Sequence, residues 1–338
     1  MQHGWNATSY QIVNPGISHW FSRNSDAVVG FTTYAGTRVV AGAPVCSIDR
    51  LPSVIEEFEG DTRRLGDGVV YFGAEARLDS ALAESTSHSR ALLGAQPAWN
   101  PSHWNSIVSS HKSLRAQLNR AKNKKVSITE YSPAEAQGSS ALRGVLQSWL
   151  ATRGLPPLHF LVEPDTLSRL DDRRIFVART PEEVVAFAVL SPVAARNGWL
   201  VEQFPRLRAA PNGTIELLLT HAVRSVASSS ATYVTLGLAP LARRNENAHE
   251  GEPLWLRAAL GFAALHGKRF YNFGGLEAFK AKFDPEIWEP VYAIEASSHF
   301  SPRALYAIAG AFASRSPLVL IAEAVAKAVR QELRWFFD

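Results

Sequence analysis

The sequence predicts an α/β fold laid down in two passes of similar plan. Three observations carry this. Strand-like runs at 27–34 and 37–43 flank Ala35-Gly36, and runs at 175–178 and 184–190 flank Thr180-Pro181-Glu182-Glu183, so each pass opens on a hairpin. Each hairpin is followed by alternating strand and helix patterns. The chain's 338 residues, 46% apolar and 20% charged, suffice for the core of one large or two medium globular domains.

The first pass continues with a helix at 51–65, a strand at 68–72 and a short helix near 80–84. The second adds a strand at 199–204, a loop at Pro211-Asn212-Gly213, a helix at 214–227 and a strand at 233–238. A helix near 253–265 and a last strand at 290–295 complete it. The expected division is an N-terminal domain over 1–140, a C-terminal domain over 141–300 and a helical tail over 301–338.

Between the passes the sequence predicts a helix at 106–124. Ile107, His111, Leu114, Leu118 and Ala121 recur at intervals of four and three, which makes one narrow apolar stripe. Lys112, Arg115, Arg120, Lys122, Lys124 and Lys125 flank it with no acid among them. Lys112, Arg115, Asn119 and Lys122 share one face. Such a face is either simply solvated or built for a polyanion, a tRNA or an anionic membrane.

Composition narrows the rest. A net charge of +4 is compatible with nucleic acid or anionic lipid and demands neither. Cys46 is the only cysteine, so no intrachain disulfide can form and a reducing, cytoplasmic compartment is expected. There is no CxxC or His-rich pattern, so no metal is expected. No apolar run reaches the roughly 18–20 residues of a membrane span; the nearest, 304–329, is broken by Arg315, Glu323 and Lys327. The tail mixes Val325, Val329, Leu333, Trp335, Phe336 and Phe337 with Lys327, Arg330 and Arg334. That suits a helix lying at a membrane surface and equally one packed on the domain or on a second copy.

The most informative stretch is FYNFGGLEAFKAKFDPEIWEPVY, residues 270–292. Read as two helical turns, 276–283 places Leu276, Phe279 and Phe283 on one face, with Lys280 and Lys282 on opposite flanks. Their stems can run along the ridge with the ammonium groups at its edge. Gly274-Gly275 ahead of the helix permits close backbone approach and frees N–H groups for an anion. Pro285 ends the helix.

This stretch resembles the signature of the C-terminal synthase domain of the aminoacyl-phosphatidylglycerol synthases, the multiple peptide resistance factors of bacteria. Their pattern runs Y-N-F-x-G-L-x-x-F-K-x-K-F-x-P-x-W-E-P-x-Y, and here Ile287 is one extra residue before Trp288. Ala210-Pro211-Asn212-Gly213-Thr214, Leu236-Gly237-Leu238-Ala239-Pro240-Leu241 and the basic segment 114–126 are also similar to that family. The resemblance spans about 27–294 and implies tandem acetyltransferase-like domains, each a mixed sheet flanked by helices. It implies an enzyme that takes an aminoacyl group from aminoacyl-tRNA, without a cofactor, and moves it to a lipid hydroxyl, most simply that of phosphatidylglycerol. The flippase domain that precedes this unit in the resistance factors is not expected here. A lipid acceptor would bring the protein to the inner face of the cytoplasmic membrane.

The resemblance also implies site residues. Lys280 or Lys282 would face the developing oxyanion and the other would hold phosphate. Glu202, at the end of a strand, would hold the α-amino group of the aminoacyl ester. The family's arginine three residues beyond the acid is here Pro205, which leaves Arg206 as its nearest counterpart. Asn212, Gly213 and Glu216 would line the same mouth, and Tyr271, Asn272 and Gly275 would shape the pocket. No Ser-His-Asp or Cys-His arrangement is apparent that would favour a covalent intermediate. The loop RAAPNGT at 208–214 has one glycine and a proline, a poor cradle for the pyrophosphate of coenzyme A. The alternatives are the same donor with a soluble acceptor, an acyl-CoA-dependent N-acyltransferase, and a module that binds tRNA or membrane without chemistry.

Overall fold

The computed structural model describes residues 2–152, 159–240, 255–256 and 273–313. Its strands are β1 (Ser18–Phe21), β2 (Val28–Tyr34), β3 (Thr37–Ala41), β4 (Gly68–Ala74), β5 (Ser89–Trp99), β6 (Ser127–Tyr131), β7 (Arg174–Arg179), β8 (Val184–Val193), β9 (Gly198–Gln203), β10 (Tyr233–Thr235), β11 (Ala239–Pro240) and β12 (Ile287–Glu295). They join in one mixed sheet in the order β1-β2-β3-β4-β12-β5-β10-β9-β8-β7-β6, with β11 on β5. The pairs β3–β4 and β9–β10 are parallel and the other pairs are antiparallel.

Both hairpins, the strands β4 and β9 that follow them, and the helices at 51–64 and 214–228 form where the sequence placed them. α1 (Leu51–Arg64) buries Leu51, Val54, Ile55 and Phe58 against β2–β4. α7 (Thr214–Ser228) and α4 (Lys112–Asn123) cover one face of β7–β9, and α6 (Ser140–Ala151) covers the other face of β7 and β8. These apolar stripes supply the burial that holds each helix to the sheet.

Some expectations shift. The helix expected at 106–124 is two, α3 (Trp104–Ser110) and α4, broken at His111, whose backbone is extended. Leu114, Leu118 and Ala121 are buried as the stripe requires. The short helix near 80–84 lies earlier, as α2 (Ala76–Ala81), and the strand at 233–238 ends at Thr235. The expected helix at 253–265 lies outside the described residues apart from 255–256. The tail begins as α9 (Pro302–Ala313), with Ala304, Ala307, Ile308 and Ala311 buried in a core shared with β3 and β4 and Phe312 edge-on to Phe72 and Phe160. The remaining tail residues, 314–338, lie outside the described residues. Among the described residues, no helix is long and apolar enough to cross a membrane.

At the middle of the sheet β5 and β12 run side by side. β12, the last strand among the described residues, enters between β4 and β5 and pairs with β5 along its length, from Ile287 opposite Ala98 to Glu295 opposite Ser89. β4 joins it only from Tyr292 onward. Among the described residues the first half of β12 has no strand on its β4 side, an edge position of the kind that suits Pro290, which has no N–H to give. The signature stretch thus ends inside the sheet and delivers Trp288-Glu289-Pro290 to its middle.

Candidate active site

α8 (Phe273–Ala281) is the helix of the signature. It starts earlier than the sequence suggested, so Gly274 and Gly275 lie in its first turn, exposed, rather than ahead of it. The phenylalanine ridge forms. Phe279 stacks on Phe204 at 5.6 Å and meets Phe283 edge-on at 5.4 Å. Phe283 is fully buried and stacks on Trp104, which meets Trp99 edge-on. The indole Nε1 of Trp99 donates to the Phe283 carbonyl at 2.9 Å, which ties the end of the signature turn to β5.

Lys280 is not at the edge of this ridge. It is 2% exposed, and its Nζ donates to the carbonyls of Gly237 (2.7 Å) and Leu238 (2.9 Å). Gly237 sits at φ +70°, a left-handed backbone that glycine adopts without strain. Burial pulls the Lys280 pKa down to about 7. The two carbonyls use two of its hydrogens in either state. What remains is a third N–H when Lys280 is charged, or a lone pair when it is neutral.

Lys282 lies on the other flank, half-buried. Its Nζ is 2.8 Å from Glu216 Oε1 and 5.2 Å from the centre of the Phe279 ring. Glu216 is buried in the first turn of α7, so it is the partner of Lys282 as well as a carboxylate at a helix N-terminus. Gly213 is the residue before that turn, at φ +88°. A Cβ there would lie 2.0 Å from the carbonyl oxygen of Gln117 on α4. Only glycine lets the α7 N-terminus close on α4, and this brings the basic helix beside the Lys282–Glu216 pair. Lys112, Arg115, Arg120, Lys122, Lys124 and Lys125 are all exposed, and none forms an ion pair among the described residues. Asn212 is exposed at the same corner.

Glu202 is placed differently from the sequence reading. Its carboxylate takes two hydrogen bonds from the Arg173 guanidinium, at 2.6 and 3.4 Å, and both side chains are largely buried. Arg173 lies over the Tyr10 ring at 4.8 Å and also donates to the Arg169 carbonyl. Glu202 is therefore committed to an internal cation rather than free for an incoming amine, and no contact joins it to either lysine. Arg206 is exposed, in an isolated bridge with Ala186. Tyr271 and Asn272 lie outside the described residues.

Sequence reasoning missed a buried cluster at the β5–β12 pairing. Arg196 binds Glu289 through both nitrogens, at 2.9 and 2.5 Å, and lies 3.6 Å from Glu75. Its guanidinium sits 3.5 Å from the Tyr233 ring centre and 4.5 Å from that of Trp5. Tyr233 Oη and Gln96 Nε2 also donate to Glu289, at 2.9 and 3.1 Å. Burial raises the Glu289 pKa, but the bonds from Arg196 outweigh it and hold the carboxyl below its usual range. Glu75 is 2% exposed, and burial pushes its pKa up to about 8. Its Oε1 accepts from the Ala7 N–H, while its Oε2 has no hydrogen bond among the described residues. One guanidinium serves two carboxyls, so Glu75 carries the proton at neutral pH. The Trp-Glu-Pro of the signature was the available signal for this cluster.

A prediction follows from Glu75. Its pKa is near 4.5 when unfolded and about 8 when folded, so the folded chain binds the extra proton between those values. The stability this contributes is complete below 4.5 and lost as pH rises through 8. Glu75→Gln keeps an acceptor for Ala7 and removes the titration. Its melting temperature relative to the unaltered chain should climb between pH 5 and pH 8; a difference independent of pH would refute the assignment.

Among the described residues, no group of three or more His, Cys, Asp or Glu side chains is arranged to hold a metal ion. Comparison with known proteins gives a consistent picture. Residues 1–295 match the family model described as phosphatidylglycerol lysyltransferase, C-terminal. A phosphatidylglycerol lysyltransferase of Bacillus subtilis is 24% identical over 293 residues, covering 86% of this chain and 33% of that protein. The bifunctional lysylphosphatidylglycerol biosynthesis protein LysX of Gordonia bronchialis is 22% identical, covering 84% of this chain and 25% of that protein. The chain thus spans about a third or less of the length of the curated relatives it matches. Among solved structures, the C-terminal domain assigned to a lysylphosphatidylglycerol synthetase of Agrobacterium fabrum superimposes with a TM-score of 0.76 at 20% identity, covering 90% of this chain and 92% of that one. L-PGS from Bacillus licheniformis gives 0.73 at 22% identity, covering 95% and 91%.

Proposed function

We infer that this chain, which belongs to the phosphatidylglycerol lysyltransferase C-terminal family, transfers an aminoacyl group from aminoacyl-tRNA to a hydroxyl of phosphatidylglycerol at the inner face of the cytoplasmic membrane. The observation that supports this most is Lys280, a buried amine on the signature helix with one hydrogen or one lone pair to spare. An aminoacyl ester is already activated, so the reaction needs no cofactor. The acceptor hydroxyl oxygen attacks the ester carbonyl, the carbonyl oxygen becomes an oxyanion, and the bond to the tRNA ribose breaks. The ribose oxygen leaves with the proton that the acceptor gives up. The spare N–H of charged Lys280 is suited to the oxyanion. Lys282 and the cations of α4, brought together by Gly213, are suited to the phosphates of the donor.

The test is incubation with tRNA carrying labelled amino acid and phosphatidylglycerol vesicles. Label should pass to a chloroform-soluble product. Label that stays in a new aqueous conjugate would point to a soluble acceptor, and label released only as free amino acid would refute the transfer.

The basic helix carries its own prediction. Lys112→Glu, Arg115→Glu and Lys122→Glu together remove three exposed cations without touching the buried stripe. Each phosphate contact contributes about 0.7–0.9 to the slope of log affinity against log salt. The triple variant should raise KM for charged tRNA by about tenfold or more and flatten its salt dependence by about two units, with kcat little changed. An unchanged salt slope would remove α4 from the donor site.

A further inference from the structure

A Ser–His–Glu relay stands apart from the lysine site. Ser85 and His88 belong to the turn between α2 and β5, and Glu59 is on α1. Ser85 Oγ is 2.6 Å from His88 Nδ1, and His88 Nε2 is 3.0 Å from Glu59 Oε1. Tyr71 of β4, itself fully buried, donates its hydroxyl to the same Oε1 at 2.8 Å. The imidazole and carboxylate side chains are 9% and 8% exposed, whereas Ser85 reaches the surface. Ser87 Oγ, exposed, lies 3.0 Å from Ser85 Oγ and 3.3 Å from Nδ1.

A carboxylate only accepts, so the hydrogen of the neutral imidazole sits on Nε2 and Nδ1 is bare. A bare Nδ1 at 2.6 Å takes the Ser85 O–H as its donor. A hydroxyl held by a base, and that base oriented by a third group, is the arrangement of an activated nucleophile. Sequence spacing hid it, because Glu59 lies 29 residues from His88. The N–H groups of Thr86 and Ser87, next in the chain, donate to no protein acceptor among the described residues.

We propose that Ser85 is the nucleophile of a second reactive centre, one that cleaves small activated carboxylic esters with water as co-substrate. This does not rest on the transferase function. Ser85 Oγ bonds to the acyl carbon as its proton moves to His88 Nδ1. The ester C–O bond breaks and the leaving alcohol takes that proton from the imidazolium. Water then adds to the acyl-serine with His88 again accepting a proton, and the acid leaves as Ser85 regains its hydrogen. Glu59 holds the ring and stabilises its charged form.

The test uses the full chain and a biotinylated fluorophosphonate, which forms a phosphonyl–oxygen bond to an activated serine and expels fluoride. Mass mapping should place the adduct on Ser85, and Ser85→Ala should abolish it while leaving lipid aminoacylation intact. His88→Gln should slow labelling about a hundredfold, the ordinary contribution of a general base. Absence of an adduct on Ser85, or equal rates in the His88 variant, would overturn the proposal. Should His88→Gln fail to fold, the unaltered chain decides. It must carry the adduct on Ser85 and on no exposed serine, Ser87 included, and equal labelling of Ser85 and Ser87 overturns the proposal.

Discussion

Lys280→Met should lower the kcat of aminoacyl transfer by about 10²–10³-fold, the usual cost of removing one preorganised donor at an oxyanion. Methionine fills the same volume among the same neighbours, so the effect on KM for tRNA should be small. The pH dependence separates a chemical role from a packing one. The amine has a pKa of about 7, so the ammonium that would meet the oxyanion is lost above neutrality. In the unaltered chain kcat should fall about tenfold per pH unit above that point. A kcat that instead rises through 7 would assign the work to the lone pair, as a base on the acceptor hydroxyl. Stability gives an independent reading. Unfolded lysine titrates at 10.5 and Lys280 at about 7, so between those values the unfolded chain holds the extra proton. Raising pH through the window therefore stabilises the fold. Thermal midpoints of the unaltered chain should rise relative to Lys280→Met from pH 7 to pH 10.5. Parallel curves would mean that Lys280 is not enclosed as described.

How much of this the sequence disclosed depends on the range of each contact. Helix periodicity set Phe279 and Phe283 on one face and the two lysines on its flanks, because that relation spans one or two turns. It could not supply the partners. The carbonyls that hold Lys280 come from 43 and 42 residues away, and Glu216 meets Lys282 across 66. Glu202 looked free because Arg173, its partner, stands on another strand's approach 29 residues earlier. β5 escaped notice for a local reason. Gly94, Gln96 and Pro97 interrupt its pattern, and burial on both faces removes the alternation that marks a half-exposed strand. The insertion of β12 between β4 and β5 has no local signature at all. Yet it decides where Glu289 goes, and so which buried charges must meet.

That meeting sets the other large effect. Arg196→Met should destabilise the fold by about 3–5 kcal/mol, because it leaves the Glu289 carboxylate buried without its cation. The loss is not that of a surface pair. The guanidinium lies close over the Tyr233 ring while it grips Glu289 with both nitrogens, so charge, fork and stacking are removed together. Arg196→Lys should recover only part of the stability, since an ammonium reproduces neither the fork nor the stacking. The double variant Arg196→Met with Glu289→Gln should be milder than Arg196→Met alone, because it also removes the stranded charge. The size of that rescue measures the coupling, and strict additivity would refute a shared network. The damage should extend to catalysis. Trp99 of β5 holds the carbonyl of Phe283, and β12 begins four residues further on, at Ile287. A cluster that sets β12 against β5 and β10 therefore also sets the helix bearing Lys280. Arg196→Met should lose transfer activity even at temperatures where circular dichroism shows it folded, and Arg196→Lys should regain activity in step with stability. Full activity in a folded Arg196→Met chain would confine the cluster to holding the sheet together.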